Sequence, residues 1–123
     1  MARILVVDDD EQVRALVARL LNLHGHAVDV AVDGAEAVDR ILEGRYDLMI
    51  IDRLMPRLNG IDTVAMIRSN PKFNCLKILM FTQASLTKDV DEAYEAGVDG
   101  YIVKPVDMER LIGKIASTLE NAP

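Results

Sequence analysis

The sequence predicts an α/β fold, a doubly wound parallel sheet of five strands with helices on both faces. Short apolar runs alternate along the chain with stretches in which apolar residues recur at helical spacing. Four of the runs end at charged or hydroxyl-bearing residues, which is typical of buried parallel strands that reach the edge of a sheet. These runs cover residues 4–7, 48–51, 78–81 and 101–103.

The first half of the chain predicts three strands separated by two helices. After the strand at residues 4–7, a helical apolar pattern predicts a helix of about 14 residues that Gly25 ends. Its apolar residues are Val13, Leu16, Val17, Leu20 and Leu21. Residues 26–32 alternate only weakly, which indicates a strand at the edge of the sheet. A helical stripe at residues 37–42 then precedes a third strand at residues 47–52.

The second half continues the alternation of helix and strand. Helical patterns cover residues 61–67, 87–96 and 108–119, and strands are predicted at residues 77–81 and 100–103. Thr87 is the predicted N-cap of the middle helix, and Gly97 is its predicted stop. Gly113 lies inside the last helix, where glycine costs about 1 kcal/mol relative to alanine.

The most economical strand order is 2-1-3-4-5, as in flavodoxin-like folds. It places the weakly alternating second strand at an edge and makes the first and third strands neighbours. The length of 123 residues suits one domain, so we expect residues 1–123 to form a single domain with no output domain in this chain.

Composition excludes several classes of function. The chain has 14 basic and 20 acidic residues, a net charge of −6, so direct binding to nucleic acid is not expected. No apolar stretch approaches the roughly 20 residues of a membrane span, and no signal peptide is evident, so a cytoplasmic location is expected. Cys75 is the only cysteine, which excludes an internal disulfide.

Polar side chains follow four of the predicted strands and should converge at one edge of the sheet. They are Asp8, Asp9, Asp52, Thr82 and Lys104. Three clustered carboxylates repel one another and favour a neutralising cation. Because oxygens are the available ligands, Mg²⁺ is the favoured ion and Mn²⁺ a possible substitute. Mg²⁺ commonly pairs with phosphate oxygens, and Asp52 is a candidate nucleophile for a phosphoryl group.

The ordered set of motifs resembles the receiver domains of bacterial two-component response regulators. The resemblance extends over nearly the whole chain. Its motifs are Val6-Val7-Asp8-Asp9, Ile51-Asp52-Arg53-Leu54-Met55-Pro56 with Gly60 following, Phe81-Thr82, and Tyr101-Ile102-Val103-Lys104-Pro105.

The resemblance implies a role for each acid. Asp52 would accept a phosphoryl group from a phosphohistidine. Asp9 and Asp52 would bind Mg²⁺ directly, together with the backbone carbonyl of Leu54, and Asp8 would act through a bound water. The chain would be no enzyme in the usual sense, since it would catalyse only its own phosphorylation and dephosphorylation.

The resemblance also implies a conformational switch. Thr82 would move toward the phosphoryl group, Tyr101 would swing inward in response, and Lys104 would bridge to the acyl phosphate. The Lys104–Pro105 peptide bond would be cis. The partners would be a sensor histidine kinase or histidine phosphotransfer protein and an unknown protein target. The target would bind the face formed by the fourth helix, the fifth strand and the fifth helix. The domain would be a monomer, and dimerisation on phosphorylation is left open.

Several residues depart from the family pattern. Asp10 extends the acidic pair and is interpreted as an acid at the start of a helix. Arg53 and Gln83 stand where apolar and small residues are usual, respectively. Leu54 and Ala84 cannot orient an attacking water as polar residues do in other members, so slow self-dephosphorylation is expected.

Three other functions are alternatives to the receiver. An Mg²⁺-dependent aspartyl phosphatase of the haloacid dehalogenase type needs a second acid where this chain has Leu54. A nucleotide- or flavin-binding domain needs a phosphate loop after the first strand, but residues 8–11 are all acidic. A receiver-like interaction module that works without phosphorylation would be expected to have lost part of the site.

Overall fold

The computed structural model describes residues 1–120, in which five strands alternate with five α-helices. The strands are β1 (Arg3–Val7), β2 (Ala27–Ala31), β3 (Leu48–Ile51), β4 (Lys77–Thr82) and β5 (Gly100–Val103). The helices are α1 (Glu11–Leu23), α2 (Gly34–Glu43), α3 (Gly60–Arg68), α4 (Thr87–Ala96) and α5 (Met108–Glu120). Residues 121–123, the end of the predicted domain, lie outside this description. None of these helices combines the length and the apolarity needed to cross a bilayer.

The strands form one parallel sheet in the order β2-β1-β3-β4-β5, which confirms the predicted topology. Val7 at the end of β1 pairs with Ile51 at the end of β3. The residues that follow these two strands, Asp8 and Asp52, therefore lie next to each other. On the other side of β3, Thr82 at the end of β4 pairs with Val103 of β5. All four predicted carboxyl ends thus share one edge of the sheet.

Alternating side chains of the sheet supply two apolar cores, one on each face. Leu5 and Val7 of β1 point to the face that packs against α2, α3 and α4, whereas Ile4 and Val6 point to the face covered by α1 and α5. The helices contribute Ala37, Ile41, Val64, Ile67 and Ala93 to the first core and Val17, Leu21, Leu111 and Ile115 to the second. Burial of each large aliphatic side chain contributes about 1.5–3 kcal/mol.

Two details of the helices differ from the prediction. The N-cap of α4 is Leu86 and not Thr87, because Leu86 has an extended backbone and its carbonyl accepts the Val90 N–H at 3.2 Å. The carboxylate of Asp89 accepts the Leu86 backbone N–H at 3.1 Å. Leu16 in the predicted apolar stripe of α1 is 54% exposed, since the stripe is wider than the part of the helix that contacts the sheet. Val17 and Leu21 are the residues of α1 that are fully buried.

Positive φ angles explain two of the predicted helix stops. Gly25 after α1 has φ +87° and Gly97 after α4 has φ +118°. Both values lie in the region that favours glycine, because a Cβ atom there crowds the backbone. Gly113 in α5 has no such requirement, and an added Cβ would meet no atom within 4 Å.

Candidate functional site

Asp8, Asp9 and Asp52 form an acidic cluster at the carboxyl edge of the sheet. Asp8 and Asp9 follow β1, Asp52 follows the neighbouring β3, and one carboxylate oxygen from each can be chosen so that all three lie within 4.8 Å. Asp8 is 3% exposed and Asp52 is 9% exposed, while Asp9 faces solvent. The cluster therefore has two buried acids and one acid at its opening.

Lys104, which follows β5, reaches across the end of β4 into this cluster. Its Nζ donates to Asp8 Oδ2 at 2.8 Å and to Asp52 Oδ2 at 3.2 Å. The ammonium also lies 5.2 Å from the centre of the Phe81 ring, a favourable cation–π contact. The backbone N–H of Lys104 donates to the carbonyl of Thr82 at 2.8 Å, and this hydrogen bond fixes where the chain leaves β5. The Lys104–Pro105 bond is cis, as the resemblance implies.

Local hydrogen bonds orient the two buried carboxylates. The Asp10 backbone N–H donates to Asp8 Oδ1 at 2.9 Å, and the Leu54 N–H donates to Asp52 Oδ1 at 3.2 Å. Each acid thus presents one oxygen to its own loop and the other to Lys104. The Asp10 carboxylate is occupied elsewhere, because it accepts the N–H groups of Gln12 and Val13 as the N-cap of α1. Its predicted role at the start of a helix is confirmed.

Burial and charge act in opposite directions on the titration of the site. Burial raises the pKa of Asp8, although the hydrogen bonds from Lys104 and the Asp10 N–H oppose the rise. Burial would lower the pKa of Lys104, but the hydrogen bond to Asp8 and the charge of Asp52 outweigh it and raise the pKa. Lys104 therefore stays protonated, and Asp8 holds a proton more readily than an exposed aspartate.

The acids open into a small cleft of about 280 Å³. It is lined by Asp8, Asp9, Asp10, Asp52, Leu54, Gln83 and Lys104. Leu54 is 60% exposed, so its side chain stands at the rim of the cleft rather than in the core. Gln83, although exposed, also borders the cleft, which makes it a neighbour of any group bound there. A larger cleft of about 820 Å³ lies around His26, Tyr46 and Phe73, away from the acids.

Thr82 and Tyr101, the predicted moving parts, are not among the residues that line the cleft. Thr82 is fully buried, and its Oγ1 accepts the Ala84 N–H at 3.4 Å. The Tyr101 hydroxyl donates to the Ala84 carbonyl at 2.6 Å. Both side chains are thus attached to the same residue of the β4–α4 loop, which gives a physical connection between them.

Sequence reasoning missed several groups that shape the site. Arg14 Nη1 donates to the Asp8 carbonyl at 2.8 Å, and the Phe81 ring supports Lys104. Arg53, which stands where an apolar residue is usual, reaches from the residue after Asp52 to α4. The helical spacing of Arg14 from the N-cap Asp10 could have indicated the first contact. The other two depend on residues that are distant in sequence.

The donor set suits a hard divalent cation. All the side-chain ligands offered by Asp8, Asp9 and Asp52 are carboxylate oxygens. Lys104 supplies the only positive charge that contacts these carboxylates among the described residues, so the negative charge of the cluster is incompletely neutralised. Such a site attracts a cation and, through it, an anionic group.

A parallel sheet that presents an acidic cluster and a lysine at one edge is the arrangement expected of a phosphorylation switch of the receiver type. The family model for the response regulator receiver domain matches residues 4–116, and the chain belongs to this family. Receiver domains of this family are phosphorylated by histidine kinases, and the prediction of a two-component phosphorylation switch is confirmed at the level of the family.

Known relatives agree with this assignment. The response regulator MprA of Mycobacterium avium is 38% identical over 117 residues, which cover 95% of this chain and 50% of that protein. The chain therefore spans about half the length of these curated relatives.

Solved structures show the same fold. The chemotaxis protein CheY4 of Vibrio cholerae superimposes with a TM-score of 0.91 at 31% identity, covering 96% of this chain and 98% of that one. The response regulator TrrA of Thermotoga maritima, solved in complex with Mg²⁺ and BeF, gives a TM-score of 0.85 at 35% identity, covering 96% and 99%.

Proposed function

We propose that Asp52 is the phosphoacceptor of this receiver domain and that its phosphorylation requires Mg²⁺. The observation that carries the proposal is the position of the Asp52 carboxylate, where two further acids and the Lys104 ammonium converge on one cleft. The donor is a phosphohistidine of a sensor histidine kinase or a histidine phosphotransfer protein. In the transfer, an Asp52 oxygen bonds to phosphorus as the P–N bond breaks, and that electron pair remains on the donor imidazole.

Asp9, Asp52 and the backbone carbonyl of Leu54 are the proposed metal ligands, with Asp8 acting through a bound water. When bound, Mg²⁺ supplies positive charge that reduces the repulsion between the carboxylates and an incoming phosphoryl group. Mn²⁺ is expected to substitute because it prefers the same oxygen ligands. The exposure of Asp9 supports this assignment, since an ion can enter from its side.

Lys104 and Thr82 are the groups proposed to bind the new phosphoryl oxygens. Lys104 is already held at Asp52 Oδ2, so the ammonium needs only a short movement to reach an oxygen on the acyl phosphate. Thr82 is covered in the present conformation, and we propose that it moves toward the cleft and that Tyr101 moves inward with it. Their shared contacts with Ala84 support a coupled movement.

The proposed readout surface is the face formed by α4, β5 and α5. It carries exposed apolar side chains that a protein target could cover, namely Leu86, Tyr94 and Val103. Lys88, Asp91, Tyr101 and Met108 are further candidates on this face. We propose that the domain, residues 1–123, acts as a cytoplasmic monomer through protein contacts and not through direct nucleic-acid or membrane binding, with no reaction on a separate substrate.

Intact mass spectrometry tests the phosphoacceptor directly. Incubation with acetyl phosphate and Mg²⁺ should add one phosphoryl group to the wild type and none to Asp52→Asn, and EDTA should prevent the addition. Asp10→Asn is the matched control, because asparagine preserves the N-cap of α1 and should leave the adduct intact. No adduct at any Mg²⁺ concentration would favour the interaction module that works without phosphorylation.

The lifetime of the phosphorylated protein tests the role of Leu54 and Ala84. Neither side chain can hydrogen-bond a water, and Leu54 stands at the rim of the cleft, so we expect slow hydrolysis of the acyl phosphate. The double variant Leu54→Asn with Ala84→Glu should shorten the half-life by about tenfold, which corresponds to about 1.4 kcal/mol, the scale of one hydrogen bond to the attacking water. Decay of the adduct, followed by mass, measures this, and an unchanged half-life would contradict it.

A further inference from the structure

Arg53, the residue directly after Asp52, joins the β3–α3 loop to helix α4. Its Nη1 donates to the Asp89 backbone carbonyl at 2.9 Å, and its Nη2 donates to Glu92 Oε2 at 2.9 Å. The Asp89 carboxylate lies 3.9 Å from Nη2. The side chains of Arg53 and Asp89 are 16% and 15% exposed, so the contacts with Asp89 are shielded from solvent, whereas the Glu92 carboxylate is 51% exposed. We call this set of contacts the Arg53 bridge.

The Arg53 bridge lies beside the proposed switch tyrosine. Burial raises the pKa of the Tyr101 hydroxyl, and the positive charge of Arg53 opposes this rise. Tyr101 in turn donates to the Ala84 carbonyl in the loop before α4. Arg53 and Tyr101 therefore hold adjacent parts of the same segment, the loop and the first turns of the helix.

Helix α4 has few other attachments at this end. Ala93 is its single fully buried residue, and the N-cap Leu86 has no side chain that can accept a hydrogen bond. Segments with little buried apolar surface open at low free energy. The position of the first turns of α4 consequently depends strongly on the Arg53 bridge.

We propose that Arg53 is a positioning residue that holds α4 and Tyr101 in the unphosphorylated arrangement, and that phosphorylation of Asp52 weakens the Arg53 bridge. The inference rests on the proposed function of Asp52. The physical reason is that a phosphoryl group adds negative charge one residue away from Arg53, where it competes with Glu92 for the guanidinium. Movement of the backbone at residues 52–54 would also reach Arg53 directly.

Fluorine NMR of protein that contains 3-fluorotyrosine gives a readout at the tyrosine itself. The chain has three tyrosines, so the Tyr101 signal can be assigned with Tyr101→Phe. In the wild type, beryllofluoride with Mg²⁺ should move this signal. In Arg53→Met, which keeps an unbranched stem but removes the guanidinium group and its charge, the unphosphorylated protein should already show the moved signal. Amides at the start of α4 should exchange about fivefold to tenfold faster with deuterium.

Arg68→Met is the matched control. Arg68 donates to the Gly97 carbonyl, the Phe73 carbonyl and the Asp99 carboxylate, and its side chain is 17% exposed. It thus resembles Arg53 in burial and contacts but anchors the other end of α4. Arg68→Met should destabilise the fold without moving the Tyr101 signal of the unphosphorylated protein.

A double-mutant cycle tests whether Arg53 acts through the helix. Glu92→Ala should move the Tyr101 signal in the same direction as Arg53→Met, and the two substitutions together should do no more than Arg53→Met alone. Full additivity would contradict the bridge.

Other outcomes separate this inference from the proposed function. If acetyl phosphate forms no adduct on Asp52, the phosphoacceptor proposal fails, and if the adduct forms but beryllofluoride leaves the wild-type signal unchanged, the proposed movement of Tyr101 fails. In both cases the exchange rates of α4 in Arg53→Met still test the bridge. If beryllofluoride moves the wild-type signal but Arg53→Met resembles the untreated wild type in both signal and exchange, the positioning role of Arg53 is overturned.

Discussion

Asp8 carries its charge in a place where burial opposes it. Lys104 is its direct partner, but the same ammonium is shared with Asp52, and Asp9 adds a third carboxylate nearby. A buried charge that shares its partner gains less than one with a partner of its own. The site therefore stores unfavourable electrostatic energy, which a bound cation would relieve.

Asp8→Asn is expected to stabilise the metal-free protein at pH 7 by on the order of 1 kcal/mol. Because the pKa of Asp8 is raised in the folded state, the folded protein binds the proton more tightly than the unfolded chain. Asp8 therefore favours the folded state at low pH. This contribution is lost as pH rises from 3.8, the ordinary pKa of the carboxyl, through its higher pKa in the folded protein. Urea unfolding in EDTA should show that the advantage of Asp8→Asn shrinks toward pH 4.

Asp29→Asn should have the opposite sign and serves as the control. The Tyr46 hydroxyl, followed by Arg3, stabilises the ionised carboxyl and lowers the pKa of Asp29. This contribution is present above pH 3.8 and is lost as pH falls through the lower folded pKa. The group is partly exposed, so the loss at pH 7 should be below about 1 kcal/mol. Destabilisation by both substitutions would contradict the electrostatic account of Asp8.

Helices of this fold begin where polar side chains replace the missing backbone acceptors. Asp10, Asp33 and Asn59 accept backbone N–H groups at the starts of α1, α2 and α3. Asp33 also forms an ion pair with Arg57. Helix α4 lacks a side-chain acceptor at its N-cap, which agrees with its proposed role as the part that moves.

Gly113→Ala and Gly25→Ala separate backbone conformation from steric space. An added Cβ meets no atom within 4 Å at either position, but Gly25 has φ +87° whereas Gly113 lies in the interior of α5. Gly113→Ala should therefore raise the free energy of unfolding by about 0.5–1 kcal/mol. Gly25→Ala should lower it by about 1–2 kcal/mol. Urea unfolding at pH 7 measures both, and equal effects of the two substitutions would exclude this explanation.

The sheet as a whole assembles the site from distant parts of the chain. Asp8 and Lys104 are 96 positions apart in sequence, and Asp52 lies 52 positions from Lys104. Only the strand order β1-β3-β4-β5 brings these residues to one edge. A cation that binds the folded site but not the unfolded chain must consequently stabilise the whole molecule.

Mg²⁺ is expected to raise the free energy of unfolding of the wild type by about 2.7 kcal/mol at 100 times its dissociation constant. Asp9→Asn should abolish most of this gain, because it removes the exposed carboxylate at the opening of the cluster. Asp10→Asn should retain it, since Asp10 caps α1. Thermal unfolding with increasing Mg²⁺ measures the gain, and equal responses of the two variants would rule out Asp9 as a ligand.

Local patterns in the sequence determined the fold class, the five strands and the identity of the acidic residues. Apolar periodicity reports which side of an element is buried, and polar residues at the ends of apolar runs report where strands leave the sheet. These signals are confined to neighbouring residues, so they can be detected in a single sequence. They also identified Asp10 and Gly97 as helix boundaries.

The tertiary structure decided how these residues act together. It buried Thr82, exposed Leu16, and brought Arg53 to Asp89 and Glu92, which lie 36 and 39 positions further along the chain. Such contacts depend on how separate helices and strands pack, and no local pattern encodes that packing. The chemistry of the strand ends was therefore visible in the sequence, whereas the connection from Asp52 to α4 required the folded molecule.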